Sequence, residues 1–261
     1  PDVVNAGEYV FSQSFPGAVQ ATAAATFAVE DLGAQRIAIV AVDLDFGKEQ
    51  SAYFKAKATE LGAEIVSEDY IAMSDNDMTS VISKIKNENV DLIYMPNYYA
   101  HASEVCRQVA LQGLDVDILG CEGADSWQLL QTAGEYAEGL YITTNMDRDD
   151  PNESTQAYIE NYRAEYNMEP DMVGASVYDA FEVLFAAMKE VGTDPAAMQE
   201  YIANMKDFDT VTGTLMYYTS AGSAVKPVQI QQVGEDLQFH SYSVIDDIQI
   251  IDGDNIPVVE Y

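Results

Sequence analysis

The sequence predicts an α/β fold built on a doubly wound parallel sheet, and three features of the chain support that prediction. Apolar segments typical of buried strands alternate with helical segments up to residue 145. Near-continuous apolar runs such as RIAIVAV (36–42) are expected of strands that are covered on both faces. The connections between these segments are short, which favours successive βα units with parallel strands.

The strands of this first half are short apolar segments that end at polar or glycine-containing turns. They are predicted at 36–42, 63–71, 90–96, 115–120 and 138–145. In parallel sheets of this kind, ligands bind in a crevice outside the carboxyl ends of the strands. The residues that directly follow each strand are therefore the first candidates for a functional site.

The helices of this half lie before, between and after those strands. They are predicted at 17–33, 47–62, 77–89, 101–114 and 126–134. In the second helix, Tyr53, Phe54 and Ala58 recur at helical spacing and predict one buried face. Asp77 is a suitable N-cap for the third helix, and Gly33 is a suitable end for the first.

Residues 147–152 (DRDDPN) interrupt this alternation, and the rest of the chain has a different pattern. Helices are predicted at 153–167, 172–192 and 196–206, followed by strands at 211–219, 226–233 and 237–245. These last strands resemble edge strands rather than the buried strands of a parallel sheet. The sequence therefore predicts that the sheet of this second half is incomplete.

Composition limits the classes of partner. With 44 Asp and Glu residues against 12 Lys and Arg residues, the chain has a formal net charge of -32. Such a field repels phosphate groups, which argues against nucleic acid and anionic membrane surfaces as partners. A length of 261 residues suits one large domain or two lobes. Two cysteines, Cys106 and Cys121, leave open either a disulfide in an exported protein or two buried thiols.

Catalytic and metal-binding patterns are not found in the sequence. It contains no G-x-S-x-G or G-x-x-x-x-G-K segment and only two histidines, His101 and His240. The acids of 147–150 lack the spacing of a calcium-binding loop. Glu122 and Asp125 have no nucleophile nearby, which argues against a catalytic acid–base pair. We therefore expect no catalytic residue, no metal site and no cofactor.

Polar and aromatic residues follow three of the predicted strands and would meet at one crevice. Phe46 comes after the first strand, and Tyr98 and Tyr99 come after the third. Glu122 and Asp125 follow the fourth strand, in a turn that contains glycines. A carboxylate pairs with an ammonium group, and aromatic rings can enclose the apolar part of a ligand and attract its cation. The pattern predicts a site for a small cation or zwitterion.

Each of these residues also has a purely structural explanation. Phe46 suits a core position, and either Tyr98 or Tyr99 could pack under a loop. An unpaired acid such as Glu122 is unsuited to a core, which leaves a solvated loop as its alternative role.

Taken in order, these segments resemble the branched-chain amino-acid binding proteins of ABC importers, which have the type I periplasmic-binding fold. No single motif is specific, but the order and spacing match over nearly the whole chain. The matching segments are 7–28, 36–49, 54–71, 77–127, 137–144, 178–192 and 211–222. The resemblance implies two doubly wound parallel-sheet lobes that close on an amino acid.

The resemblance also implies how the chain is divided. Residues 1–15 correspond to a crossover between the lobes, and 16–145 together with about 235–261 correspond to a complete lobe 2. Residues 146–234 correspond to the remaining part of lobe 1. Family members carry roughly a hundred further residues of lobe 1 before this point, so we expect an incomplete lobe 1, in a fragment or in a truncated homologue. Helix 172–192 would then have an uncovered apolar face, through which we expect self-association.

The resemblance assigns roles to individual residues. Glu122 matches the acid that binds the α-ammonium group of the ligand, with Asp125 as a second acid near it. Tyr98 matches a pocket tyrosine. Phe46 stands where many members have tyrosine, which implies that a hydroxyl contact is lost and a more apolar wall is gained. Val173 falls near a position that contacts the ligand's side chain.

The implied function is that of an extracytoplasmic solute-binding protein, either in the periplasm or as a cell-surface lipoprotein. It would bind a branched-chain or other small apolar amino acid, perform no catalysis, and deliver the ligand to the membrane subunits of an ABC permease. Two alternatives stay open. One is a ligand-sensing receptor domain of the same fold, and the other is a binder of an amide- or urea-like ligand, which does not need Glu122.

Overall fold

The structure is a computed structural model that describes residues 3–261, so residues 1–2 of the predicted crossover 1–15 lie outside the described residues. Its strands are β1 (Arg36–Val42), β2 (Glu64–Ile71), β3 (Leu92–Met95), β4 (Asp117–Gly120), β5 (Tyr141–Thr144), β6 (Phe208–Thr210), β7 (Gly213–Leu215), β8 (Tyr217–Tyr218), β9 (Ala224–Val225), β10 (Val228–Val233) and β11 (Phe239–Ile245). Its α-helices are α1 (Gly17–Thr26), α2 (Asp45–Glu60), α3 (Thr79–Ile85), α4 (Tyr99–Gln112), α5 (Trp127–Ala133), α6 (Glu153–Tyr166), α7 (Met172–Val191), α8 (Pro195–Ala203) and α9 (Ile248–Ile251).

Seven of these strands form one sheet, in the order β2-β1-β3-β4-β5-β10-β11. Strands β1 to β5 are parallel, whereas β10 runs antiparallel to both β5 and β11. The predicted α/β fold with a parallel sheet is confirmed. Because β2 and β3 lie on opposite sides of β1, the strand order reverses there. Such a switch point is where a ligand crevice is expected, outside the carboxyl ends of β1 and β3.

The side chains of β1 show why its sequence is apolar throughout. Ile37 and Ile39 are buried in a cluster with residues of α1 and α2. Ala38 and Val40 are buried in a second cluster with residues of α3, α4 and α5. Successive side chains of a strand point to opposite faces of the sheet. Since both faces are covered by helices, the buried positions 37–42 of β1 require apolar residues, which explains the run IAIVAV.

The segment 146–227 has a different architecture within the described chain. Helices α6, α7 and α8 pack with two short antiparallel pairs, β6–β7 and β8–β9. The strand predicted at 211–219 is interrupted, because the chain turns at 211–212 and Gly213 has a positive φ of 94°.

The position of strand β10 in the fold differs from the predicted one. The sequence predicts an edge-like strand in the segment 146–234, but β10 lies inside the main sheet, between β5 and β11. The polar residues of VQIQQV are typical of an exposed strand. Gln231 is nevertheless fully buried, and its Oε1 accepts a hydrogen bond from Arg148 Nη1 at 2.7 Å. Strand β10 therefore belongs with the main sheet.

Helix α7 presents an apolar face to solvent, as predicted for 172–192. Its inner side buries Val183 and Ala187 against β7, β8 and α8. The exposed apolar side chains, called the α7 face below, are Val173, Val177, Phe181, Leu184, Phe185 and Met188. A contiguous exposed apolar surface is typical of a site that contacts another chain or segment.

We expect the chain to self-associate through the α7 face. Light scattering at micromolar concentration should show a mass greater than that of one chain. The double substitution Phe181→Glu and Phe185→Glu should return the protein to a monomer, because two unpaired carboxylates resist burial in an interface. Leu111→Glu is the matched control, at an apolar residue of α4 with 57% exposure, close to the 61% of Phe185. A strictly monomeric profile of the unsubstituted chain would contradict this expectation.

The two cysteines are separate buried thiols rather than a disulfide. Burial raises the pKa of Cys106 to about 12 and also raises the pKa of Cys121, which suppresses the reactive thiolate form of both. Among residues 3–261, no three His, Cys, Asp or Glu side chains are grouped as ligands for a metal ion. Within the same range, no helix combines the length and apolarity of a bilayer-spanning segment.

His240 joins the β10–β11 hairpin to the segment that follows β5. Its Nδ1 lies 3.3 Å from Asp149 Oδ2, and its Nε2 lies 3.1 Å from Asp236 Oδ1. The hydrogen bond with Asp236 raises the pKa of His240, and the charge of Asp149 adds to this effect. Because the folded pKa lies above that of the unfolded chain, the stabilisation is complete at low pH and is lost as the pH rises through the folded pKa.

His240→Gln is expected to lower the free energy of unfolding by about 0.5 kcal/mol at pH 5.5, and by much less at pH 9. The effect is small because the His240 side chain is 47% exposed and solvent screens its ion pairs. Urea denaturation of the two proteins at both pH values measures the difference. An effect of equal size at both pH values would contradict the assignment of a charged His240.

Candidate functional site

Phe46 and Tyr98 form an aromatic wall where β1 and β3 end. Phe46 lies in the first turn of α2, and Tyr98 is the N-cap residue of α4. Their rings are stacked, with centroids 5.4 Å apart and planes inclined by 23°. Phe46 is half-buried and Tyr98 is 37% exposed, so both rings contribute to the surface of the crevice.

Gly47 allows α2 to begin directly after β1. A Cβ atom at this position would lie 2.1 Å from the carbonyl oxygen of Val42. Any other residue would push the start of α2 away from the strand. The glycine therefore fixes where Phe46 stands in the crevice.

Glu122 lies beside this wall, in a 3-10 turn that follows β4. Gly123 packs this turn against the loop after β3, where an added Cβ atom would lie 2.5 Å from the carbonyl oxygen of Asn97 and 3.4 Å from the Tyr98 ring. Asn97 is itself fixed, because its Nδ2 donates to a backbone carbonyl of β1 at 2.7 Å. The glycine after Glu122 thus brings the carboxylate next to Tyr98.

The Glu122 carboxylate is poorly compensated. Its Oε2 atom is buried and has no hydrogen-bond partner. Burial raises the pKa of Glu122 to about 7, and the negative charges of Glu49 and Asp125 act in the same direction. The pKa of Tyr98 is also raised, by its burial and by the nearby acidic groups Cys121 and Glu122. A buried acceptor without a partner is costly, so this site is suited to a ligand that supplies a donor or a positive charge.

Glu49 belongs to the same crevice but was not identified from the sequence. Its carboxylate approaches the start of α1, where a Cβ atom on Gly17 would lie 3.3 Å from Glu49 Oε2. Its charge contributes to the raised pKa of Glu122. Glu49 follows Phe46 by three residues on α2. That spacing places both on one helical face and was the signal available in the sequence.

Asp125 is buried close to Glu122 but faces different partners. Its carboxylate forms an ion pair with Arg148 and accepts a hydrogen bond of 2.6 Å from Thr144 Oγ1. The Asp125 side chain is fully buried and already paired. This geometry argues against the role predicted for Asp125 as a second acid at a ligand's ammonium group.

The predicted site residues do not all lie together. Phe46, Tyr98 and Glu122 meet at the crevice. Tyr99 is the first residue of α4 and is 40% exposed. Val173 lines a separate cavity of about 640 Å³ between α7 and the segment 11–16, and the three crevice residues are not part of its lining. Val173 is 61% exposed.

Three polar residues connect that cavity to the sheet. Asn145, directly after β5, donates from its Nδ2 to Ser176 Oγ of α7 at 2.8 Å. Ser14, in the predicted crossover, lies 3.2 Å from the same oxygen atom. Asn145 Oδ1 is buried without a partner. The sequence did not identify this group, because Ser14 and Ser176 are separated by 162 residues and no local pattern relates them.

Known proteins are similar to this chain in sequence. A family model described as periplasmic binding protein matches residues 4–238. The Leu/Ile/Val-binding protein of Escherichia coli (strain K12) is 28% identical over 201 residues, which are 76% of this chain and 53% of that protein. The chain therefore spans about half the length of the curated relatives it matches.

Solved structures share the fold. A leucine-binding protein from Thermotoga maritima is 28% identical, with a TM-score of 0.82, and the match covers 94% of this chain and 70% of that one. A solute-binding protein of an ABC transporter from R. palustris, solved with benzoate, is 21% identical, with a TM-score of 0.81 and coverage of 90% and 65%. At that identity the second likeness shows the fold alone.

Proposed function

From the finding that this chain belongs to the periplasmic binding protein family and has its type I α/β fold, we propose that it carries the ligand site of an extracytoplasmic solute-binding protein of an ABC importer. The ligand is a small apolar amino acid, which binds at Phe46, Tyr98 and Glu122 and is not chemically changed. The membrane subunits of an ABC permease are the partner that receives it. The protein acts in the periplasm or as a lipoprotein on the cell surface.

The observation that carries this proposal is the buried and unpartnered Oε2 atom of Glu122 beside an aromatic wall. An α-ammonium group supplies both the positive charge and the N–H donors that this carboxylate lacks. Burial makes such a contact strong, because water no longer screens it. The stacked rings of Phe46 and Tyr98 provide apolar surface for an aliphatic side chain.

Lobe closure is the proposed binding movement. Lobe 2 comprises 16–145 with β10, β11 and the C-terminal residues, and the segment 146–225 forms part of lobe 1. The chain passes between these units at 11–16, at 145–152 and at Lys226. Contacts of the ligand with both units would favour the closed arrangement.

An aromatic carboxylic acid is the second candidate ligand. With a pKa of about 7, Glu122 is partly neutral near that pH, and its O–H can then donate a hydrogen bond to a carboxylate. The wall of Phe46 and Tyr98 also suits an aromatic ring. The relative from R. palustris solved with benzoate has the same fold. The two candidates differ in their pH dependence, because a carboxylate requires protonated Glu122 and an ammonium group requires the ionised form.

Thermal unfolding with a small ligand panel separates these candidates. At pH 8, leucine, isoleucine or valine at ten times its Kd is expected to raise the unfolding temperature by about 3 °C. The matched control is 4-methylpentanoate, which is leucine without its ammonium group and is expected to give no shift at this pH. Benzoate at pH 6 and pH 8 tests the second candidate.

Two outcomes would contradict the amino-acid assignment. One is a shift with 4-methylpentanoate at pH 8 that equals the shift with leucine. The other is a shift with benzoate that grows from pH 8 to pH 6 while no amino acid has an effect at either pH.

A further inference from the structure

Arg148 contacts four segments of the chain at once. Its Nη1 donates to Gln231 Oε1 of β10 at 2.7 Å, and its Nη2 donates to the carbonyl oxygen of Pro170 at 3.1 Å. Both nitrogen atoms also bind Asp125, in the loop after β4. The guanidinium carbon lies 5.0 Å from the centroid of the Phe239 ring on β11. The side chain is only 12% exposed, so these contacts are shielded from solvent.

Asp125 connects Arg148 to the crevice. The backbone N–H of Asp125 donates to the carbonyl oxygen of Glu122 at 3.0 Å and closes the 3-10 turn. The carboxylate of Asp125 is held on one side by Arg148 and on the other by Thr144 Oγ1. The position of the turn, and with it the direction of Glu122, therefore depends on how Asp125 is anchored.

Pro170 connects Arg148 to helix α7. Directly after Pro170, Asp171 caps α7, with its Oδ1 accepting from the Gly174 N–H at 2.8 Å. The planar guanidinium group can serve Asp125 and the Pro170 carbonyl at the same time because its donors form a rigid fork. A lysine has a single nitrogen atom and cannot reproduce this arrangement.

We propose that Arg148 is a positioning residue that fixes the Glu122 turn through Asp125 and couples this turn to the start of α7. The assignment of the turn to ligand binding rests on the proposed function, whereas the coupling itself rests on the contacts of Arg148. A movement of α7 away from the sheet breaks the bond between Arg148 and Pro170 and loosens the turn. Affinity at Glu122 therefore depends on the approach of α7.

Thiol labelling tests this coupling without any ligand. Cys121 directly precedes Glu122, and its fully buried Sγ lies 3.7 Å from the carbonyl oxygen of Asn97. Cys106, on α4, is the reference site, because its rate reports general loosening of the fold. The rate at which a water-soluble thiol reagent modifies Cys121 is measured in a Cys106→Ser protein, and the rate for Cys106 in a Cys121→Ser protein.

The variants are chosen so that folding is preserved. Arg148→Met together with Asp125→Asn removes the tether without leaving a buried charge, and Arg148→Lys keeps the charge but not the fork. Both are expected to accelerate the modification of Cys121, the first at least tenfold and the second to an intermediate extent, with less than a twofold change at Cys106. Arg163→Met is the matched control, since Arg163 pairs with Glu169, and it should change neither rate.

An unchanged Cys121 rate, or equal acceleration at both cysteines, would overturn the proposal, because the latter result describes a general loss of stability. Leucine titration of the same proteins then separates a failure of the coupling from a failure of the proposed function. If the unsubstituted chain binds leucine, its affinity should fall about tenfold in the double variant. If the unsubstituted chain binds no amino acid, the proposed function fails, while the thiol rates still decide the coupling.

Discussion

Replacing Asp179 by alanine is expected to lower the free energy of unfolding by about 3 to 5 kcal/mol, because it leaves Lys226 buried without its counter-charge. Both side chains are fully buried, and Lys226 Nζ lies 3.3 Å from Asp179 Oδ2. Burial lowers the pKa of Lys226, and the neighbouring carboxylate opposes that shift. Urea denaturation at pH 7 measures the loss directly.

The position of this pair explains why its loss affects more than one element. Asp179 lies on α7 and accepts a hydrogen bond of 3.0 Å from the Val211 N–H, at the β6–β7 turn. Lys226 stands between β9 and β10, and its Nζ donates to Thr212 Oγ1 at 2.6 Å. The pair therefore holds α7 and the β6–β7 turn against the point where the chain enters the main sheet.

Two controls accompany the Asp179 variant. Asp209→Ala removes an exposed carboxylate that accepts from Thr214 on the same hairpin, and it should cost less than about 0.5 kcal/mol. Adding Lys226→Met to Asp179→Ala should recover most of the lost stability, since a buried ion pair is often replaceable by apolar side chains. A loss below about 1 kcal/mol for Asp179→Ala alone would contradict the assignment of a charged Lys226.

Replacing Glu122 by glutamine is expected to increase stability and to weaken ligand binding. The folded pKa of Glu122 is about 7, against an ordinary value of 4.5. The stability associated with protonated Glu122 is therefore complete below the ordinary value and is lost as the pH rises through the folded pKa. At pH 8 the ionised carboxylate, whose Oε2 atom has no partner, destabilises the ligand-free chain by about 2 to 3 kcal/mol, which the glutamine variant should regain. The two proteins should have similar stability at pH 4.

The same substitution removes the charge that the proposed ligand needs. Glu122→Gln should weaken amino-acid binding by roughly 1.5 to 3 kcal/mol, the scale of a charge-assisted hydrogen bond. Titration calorimetry at pH 8 gives this difference, and Glu135→Gln, at an exposed acid in a nearby turn, is the control for net charge. Equal affinity of the unsubstituted and Glu122→Gln proteins would remove Glu122 from the site.

Much of the fold was predictable because its pattern is local. The apolar run of β1 and the polar residues after each strand indicated a parallel sheet covered on both faces, and the match of the family model to residues 4–238 confirms the resemblance. Strand β10 was misplaced because Gln231 is polar in sequence yet buried in the structure. The hydrogen bond from Arg148 that satisfies the buried Gln231 side chain joins two residues that are 83 positions apart.

The grouping of three predicted residues at one edge of the sheet was predictable for the same reason. Phe46, Tyr98 and Glu122 each follow a strand directly, so their meeting at one edge of the sheet follows from topology. Asp125 also follows a strand, but its orientation is set by Arg148, 23 residues away. A long-range ion pair of this kind leaves no local pattern in the sequence, so only the structure shows that the Asp125 carboxylate is paired with Arg148.

The most direct test of the account is the number of protons exchanged when leucine binds. Near pH 7 the ligand-free chain holds about half a proton on Glu122, since its pKa is about 7. An ammonium group lowers that pKa, so calorimetric titrations in two buffers of different ionisation enthalpy should show the release of about half a proton per leucine. The Glu122→Gln protein should show none. Binding of leucine with proton uptake, or with no proton exchange in either protein, would contradict the assignment of Glu122 as the ammonium partner.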